Sequence, residues 1–464
     1  METQDSEKSF STGRMKIAPP NTCKYWVASR QRFCKFATGK DSSEFCPMHN
    51  TGSGANERVP CPVDPNHLVL KRDLDKHVLR CNKVAEDIFS SRQPFTLKGC
   101  NSIDISSDAP GTEPSNQDEQ MSVTEIENWR TKLSSARESL TATIRAKFPN
   151  FSLTEEDEQF SAPWSDEVTA CSKDVTGHDW ETRDQIDKHN LQNACLLAML
   201  NAADLAPKQK DHSVFVELGC GKAGLTRWLI HSLPERDPDI PEYDQPVFLL
   251  LDYEARRCKN ENKKDAKSRI PSGNIVRLRS DIRDVDLAQF LVSKSTDSAP
   301  QVTGKPGSID LRLSELHAKV HAIQARSSWP YSRVVGTAKH LCGAATDFGL
   351  RCLSRVKDRE VSLVFATCCH HRCDWDQLVS RSILEEFDIC NSRAEFKRLS
   401  SVAGWATTAG IDQGKRRFGR LVKSVIDLSR ILWLVNTFPN MRSVGYKKYI
   451  EDGTTPENFC IVFS

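Results

Sequence analysis

Cys368 to Cys373 place three cysteines and two histidines in six consecutive positions, within Ala-Thr-Cys-Cys-His-His-Arg-Cys (366–373). Thiolates and imidazoles bind metals, attack electrophiles and carry protons. In an extended chain Cys368 and Cys369 point to opposite faces, and so do His370 and His371. One ion could gather them only across a sharp turn. The stretch therefore reads first as an active-site rim in which His370 and His371 hydrogen-bond to a substrate. A metal site and plain packing are the alternatives.

Two other sets have metal-ligand spacing. Cys23, Cys34, Cys46 and His49 follow C-x10-C-x11-C-x2-H. Four such ligands suit a closed tetrahedral Zn²⁺ site, and the segment has too few apolar residues for a core without one. Cys61, His67, His77 and Cys81 follow C-x5-H-x9-H-x3-C. The pair His77 and Cys81 is expected one turn apart on a helix, so both would face one ion. Two structural zinc ions are expected. Lys24, Arg30, Arg32, Lys35, Lys71, Arg72, Lys76 and Arg80 lie among these ligands. They suggest nucleic-acid contact, with protein docking as the alternative.

A third chemistry-bearing stretch is SVFVELGCGKAGLTRWLI (213–230). An apolar strand leads into Glu217-x-Gly219-x-Gly221-x-x-Gly224, and an apolar helical pattern follows. Glycines there let the backbone turn tightly and approach a ligand. The next strand ends at Asp252, an acidic position that can hold a ribose. A third strand ends at Asp281-Ile282, the position at which methyltransferases contact adenine. The acidic start of the loop favours cationic S-adenosylmethionine over a pyrophosphate. A nicotinamide-dependent dehydrogenase is the weaker reading.

The elements that must position these residues come from periodicity. From residue 184 onward, strand-like runs alternate with helical patterns, which predicts a mainly parallel sheet flanked by helices. Val334–Thr337 is the fourth strand, after a polar insertion at 294–330, and it delivers Lys339, His340 and Cys342 to its C-terminal edge. Val361–Thr367 is the fifth. Residues 1–20 are expected to be disordered, 21–50 and 58–84 to be the two fingers, and 100–183 to be a linker. The linker carries an exposed helix near 121–148 and an irregular acidic stretch at 151–183.

Composition narrows the setting. The chain has 464 residues, a net charge of +2 and 17 cysteines. No apolar run is long enough to span a membrane. METQDSEKSF, at the start, lacks a secretory signal's apolar centre. An intracellular setting is expected, cytoplasmic or nuclear, where the cysteines are ligands or core residues, not disulfides. Any nucleic acid must be held by local basic patches. One is Arg256, Arg257, Lys259, Lys263, Lys264 and Lys267. The other is Lys415, Arg416, Arg417 and Arg420, in a stretch whose two glycines suggest a loop near the rim.

The order of these motifs, with KHLCGAATD (339–347), CCHHRC and KH-x-x-Q (Lys188, His189, Gln192), resembles the eukaryotic tRNA 2′-O-methyltransferase family that modifies nucleotide 4 of the acceptor stem. The resemblance runs from about Cys23 to the end, apart from residues 100–180. It implies a Rossmann-like S-adenosylmethionine-dependent methyltransferase domain behind CCCH and CHHC zinc fingers, with tRNA as substrate. Methyl transfer to a ribose hydroxyl needs alignment and a base. Lys339 is the first candidate base, then His340, then His370 or His371. A non-catalytic RNA-binding adaptor with a vestigial methyltransferase fold is the alternative, as is a methyltransferase for another RNA or a protein.

Overall fold

The computed structural model describes residues 20–27, 32–38, 44–46, 49, 57–64, 68–103, 121–155, 158, 160, 165–178, 181–254, 260, 264–292, 300–306, 308–326, 331, 333–438 and 440–464. The chain divides into two compact units between Ile88 and Phe89.

Among the described residues, the first unit consists of fragments too small to bury a core. Trp26–Val27 pairs antiparallel with Arg32–Phe33, and Arg58–Pro60 with Leu68–Leu70. A short helix, Leu74–Val78, follows. The only cluster of buried apolar residues in this unit, among the described residues, is Cys23, Cys34 and Cys46. Those are the expected metal ligands of the first finger.

The second unit is organised by an eight-stranded sheet. Its strands are β1 (Ser152–Leu153), β2 (Ser213–Leu218), β3 (Val247–Leu251), β4 (Ile275–Leu278), β5 (Arg333–Cys342), β6 (Glu360–Cys368), β7 (Val444–Lys448) and β8 (Phe459–Phe463). The order across the sheet is β1-β7-β8-β6-β5-β2-β3-β4. From β6 to β4 all neighbours are parallel; β8 runs antiparallel to both β6 and β7. The central strands are continuous apolar runs because helices cover both faces. Val214, Val216 and Leu218 pack into one core, whereas Phe215 packs into the other. The first core takes side chains from helices α1 (Val123–Lys147), α5 (Ile309–Gln324), α6 (Ala344–Ser354), α7 (Arg393–Ala403) and α8 (Gln413–Thr437). The second takes them from α2 (Asp166–Thr176), α3 (Lys188–Ala202) and α4 (Gly224–Ser232).

Three expectations change here. The helix near 121–148 is not exposed: Leu133, Leu140 and Ile144 are fully buried, and α1 packs along α8. Its apolar spacing serves this intramolecular seam. The described residues within 151–183 are not all irregular, because they include β1 and α2, the latter capped by the Ser165 hydroxyl. Nor does a linker begin at 100. Asn101 is fully buried and its amide donates to the carbonyls of Ile282 (2.7 Å) and Val285 (2.8 Å).

Strand β2 sits between β3 and β5, and the chain leaves it first toward β3 and later returns at β5. That reversal opens a crevice beyond the strands' C-terminal ends, where open α/β sheets bind ligands.

Candidate active site

The crevice is a cavity of about 810 Å³. Glu217, Gly219, Gly221, Gly224, Asp252, Asp281, Ile282, Lys339 and His340 all line it. So do Tyr253, Arg283, Cys342, Phe348 and Arg372. The expected cofactor residues and the two first candidate bases therefore share one space.

The loop after β2 is shaped by left-handed backbone. Gly219 and Gly221 have φ of 68° and 51°, a region closed to most side chains. Ala223 adopts it as well, at 57°. Asp252 braces the loop: its Oδ2 accepts from the Gly221 N–H at 2.6 Å. Arg277 braces it from β4, donating to the Gly221 carbonyl at 3.0 Å. Glu217 is buried and accepts from the Thr226 N–H (3.0 Å) and hydroxyl. Burial pushes its carboxyl up to about 7, against the pull of Thr226 and Lys339. Asp281 caps a helical turn by accepting from the Arg283 N–H at 2.9 Å, and it pairs with the Arg283 guanidinium at 2.9 Å.

Lys339 reaches the cavity from β5. Burial lowers its ammonium to about 8, although Glu217 pulls the other way. Its amine donates to Asn193 Oδ1 at 2.6 Å and to the His189 carbonyl at 3.0 Å. Both acceptors lie in α3. Gln192 of the same helix is fully buried, with its amide 3.5 Å from the Tyr449 hydroxyl, while Lys188 and His189 begin the helix. Asn193 escapes sequence reading because nothing distinguishes an asparagine in an apolar helix. Its burial against Gly224 is the only sign: a Cβ at Gly224 would meet its amide at 3.2 Å.

The opening stretch divides. His370 is no rim residue: it is 1% exposed, and its Nε2 stands 2.9 Å from Asp427 Oδ2. Asp427 continues to Arg430 (3.1 Å) and Arg430 to Asp347 (2.6 Å), all buried. The cause is a turn of 3-10 helix at His370–Arg372, which rotates His370 inward. His371 is exposed beside Gly404 and does not line the cavity. The basic stretch at 415–420 is not a loop. Lys415, Arg416, Arg417 and Arg420 lie in the first turns of α8, capped by Asp412. Gly419 is needed there for close packing, since a Cβ would meet the Ala406 nitrogen at 2.5 Å. None of the four basic residues lines the cavity; Lys415 stands over the Trp405 ring and Arg420 pairs with Asp452 at 2.6 Å. In the other basic patch, Arg256, Arg257, Lys259 and Lys263 lie outside the described residues, as does the side chain of Lys264.

The finger ligands meet a geometric test. The sulfurs of Cys23 and Cys46 each stand 3.4 Å from His49 Nδ1, and the four ligand atoms, with Cys34, all lie within 4.8 Å. Cys61 and Cys81 sulfurs stand 3.9 Å apart with His77 in the same cluster. Tetrahedral Zn–S bonds of about 2.3 Å put ligand sulfurs about 3.8 Å apart. His67 lies outside the described residues. Cys81 falls just after the helix that carries His77, not within it.

Comparison with known proteins agrees with this division. A CCCH zinc finger profile from TRM13 proteins matches residues 21–50, and a U11-48K-like CHHC zinc finger profile matches 58–82. The profile described as methyltransferase TRM13 matches residues 191–305 and 309–416, which include every cavity residue named above. The chain belongs to the TRM13 methyltransferase family. Among its relatives is the Vanderwaltozyma polyspora protein named tRNA:m(4)X modification enzyme TRM13, 25% identical over 95% of this chain and 96% of its own. The Schizosaccharomyces pombe protein of that name is 25% identical over 88% and 95%, and the mouse TRM13 homolog 26% identical over 83% and 74%. No solved structure matches the chain.

Proposed function

We propose that this chain methylates the ribose 2′-hydroxyl of nucleotide 4 in the tRNA acceptor stem, with S-adenosylmethionine as donor. Family membership and the relatives' name, which specifies tRNA and position 4, support the substrate. The observation that carries the chemistry is the meeting of Glu217, Asp252, Asp281 and Lys339, from four strands, in one cavity at the point where the strand order reverses. That meeting supports reading the second unit as a Rossmann-like methyltransferase domain.

When bound, S-adenosylmethionine supplies a methyl carbon on a sulfonium, and the ribose oxygen displaces the thioether. The residues supply the rest. In this reading Asp252 would hold the cofactor's ribose, Asp281 the adenine amine, and Glu217 the cationic end. Lys339 has two acceptors, Asn193 Oδ1 and the His189 carbonyl. A neutral lysine has two N–H groups and one lone pair. The acceptors take the two N–H groups, so the lone pair is left for the hydroxyl proton. Asn193 is thus a positioning residue. An A-form acceptor stem displays its 2′-hydroxyls in a shallow minor groove, so the target needs no flipping. The two fingers hold one zinc ion each and contact the tRNA, in the nucleus or cytoplasm.

Mass-spectrometric mapping of ribose methylation on tRNA, with and without the protein and S-adenosylmethionine, tests this reading. A new 2′-O-methyl at position 4 is expected. Binding of S-adenosylmethionine and tRNA with no methylation would reveal the adaptor, and a methyl on a base would overturn the assigned atom.

A further inference from the structure

Three thiols meet at the C-terminal edges of β5 and β6. Cys342, Cys368 and Cys369 have their sulfurs within 4.8 Å of one another, and Cys342 and Cys368 stand 3.5 Å apart. Two departures from regular backbone bring them together. The pairing of β5 with β6 slips between Ala366 and Thr367, so that Ala366 faces Lys339, Thr367 faces Leu341 and His340 is skipped. His340 takes up the slip with φ of 68°. The result is that Cys342 faces Cys368 directly. Then Cys369 turns left-handed, with φ 51° and ψ 43°. Adjacent strand residues would point to opposite faces; this turn puts both sulfurs on one side.

Left-handed backbone is unfavourable for a non-glycine residue. Such outliers persist where the surroundings fix them, and they gather at functional sites. A pair of thiols forming a disulfide would need only the slip at His340. The turn at Cys369, whose N–H donates to Glu457 at 3.1 Å, adds a third sulfur to the pair, which suits a ligand that takes three. We propose that Cys342, Cys368 and Cys369 bind a third zinc ion as thiolates. The three thiols release their protons to solvent on binding. Three thiolates fill three of zinc's four positions. Among the described residues no fourth cysteine, histidine or carboxylate joins this cluster, so water or a small exogenous ligand takes the fourth. The spacing of the sulfurs resembles that in the fingers, where Cys61 and Cys81 stand 3.9 Å apart.

The ion ties the edge of β5 to the edge of β6 two residues past His340. Lys339 and His340 lie on that edge, and Cys342 itself lines the cavity. The zinc fixes the bulge that aims Lys339. Gly343 completes the closure, because a Cβ there would meet the Arg372 carbonyl oxygen at 2.3 Å.

Metal content of the purified full-length chain is the test, read by plasma mass spectrometry under reducing conditions. Three zinc ions per chain are expected. Cys342→Ser and Cys369→Ser should each hold two, whereas His371→Ala, which changes an exposed neighbour, should keep three. A full-length variant with Cys34→Ser and Cys81→Ser breaks both fingers and should retain one. Cobalt loaded into that variant should show strong thiolate-to-cobalt absorption, which does not depend on whether Cys342→Ser folds. Two zinc ions in the parent chain and no cobalt–thiolate band in the finger-deficient variant would overturn the site. So would an intact mass showing a Cys342–Cys368 disulfide in freshly reduced and desalted protein. Methylation is not the readout, so this result is separate from that of the proposed activity.

Discussion

Lys339 is held by two acceptors and lowered to about 8 by burial, so a useful fraction is neutral near neutral pH. Methyl transfer under saturating substrates should rise with pH until the amine is deprotonated and then level off. A cofactor sulfonium nearby would move that turning point lower. Lys339→Ala should reduce turnover by roughly 100- to 10,000-fold and abolish the rising limb. Lys339→Arg should not restore it, because a guanidinium stays protonated. If arginine restores turnover, the residue only orients the hydroxyl. Glu217 gives a second, independent pH dependence. Its carboxyl, pushed up to about 7, is protonated at lower pH and ionised above. Affinity for cationic S-adenosylmethionine, measured by calorimetric titration, should therefore strengthen as pH rises through about 7. A flat profile would remove Glu217 from the cationic end. These residues were legible in the sequence because each stands near the C-terminal end of a strand or opens a glycine loop. Asn193 and Arg277 were not, since their roles come from tertiary contacts that leave no periodic signal.

Elements decide which side chains face the cavity, and here one substitution separates two accounts of CCHHRC. A rim His370 could be replaced at little cost to stability. The buried chain His370–Asp427–Arg430–Asp347 links the end of β6 to α8 and α6. Burial alone would raise Asp427, but His370, Arg430 and the Thr367 hydroxyl hold it down at about 2. Its contribution to stability is present above the ordinary aspartate value of about 4 and is lost as pH falls toward 2. His370→Ala removes one partner of a buried carboxylate that keeps Arg430 and the Thr367 hydroxyl, and it should cost about 1–3 kcal/mol. Chemical denaturation at neutral pH measures this; a loss under 1 kcal/mol would return His370 to the rim. Sequence reading erred because an extended continuation was assumed beyond Thr367, and the left-handed turn at Cys369 followed by 3-10 helix cannot be read from residue types. The strands themselves were legible as apolar runs, and the parallel sheet followed from their alternation with helices. Helix α1 was legible as a helix but not as part of the core. Its polar flanks made it look like linker, while its partner α8 lies some 270 residues onward. The segment around Asn101 was hidden in the same way. Asn101→Ala strips two buried carbonyls, those of Ile282 and Val285, of a donor. It should cost about 1–3 kcal/mol, visible as a lower melting temperature, and it should weaken S-adenosylmethionine binding through the Asp281–Ile282 turn.

At the scale of the whole molecule, a net charge of +2 leaves little general attraction for RNA, so local patches must supply it. The second unit has a large two-sided core, whereas the first, among the described residues, has almost none apart from its cysteines. Zinc must then supply the first unit's folding free energy. Some of its basic residues are occupied: Lys24 pairs with Glu44, and Lys71 with Glu57. Lys76 and Arg80 are exposed, and so are Tyr25, Trp26 and Phe36, whose rings could stack on unpaired bases. Removing zinc from the full chain with a strong chelator should leave most helical circular dichroism intact. Limited proteolysis should then cut within residues 21–84. If the fingers contact RNA, tRNA affinity should drop at least tenfold, and the dependence of log K on log salt should become shallower as phosphate contacts are lost. Because the third zinc is proposed on the second unit, a Cys34→Ser, Cys81→Ser chain provides the cleaner comparison, with the fingers broken and the cavity intact. Unchanged tRNA affinity and salt slope in that variant would mean the fingers dock a protein, and that the second unit alone binds the acceptor stem.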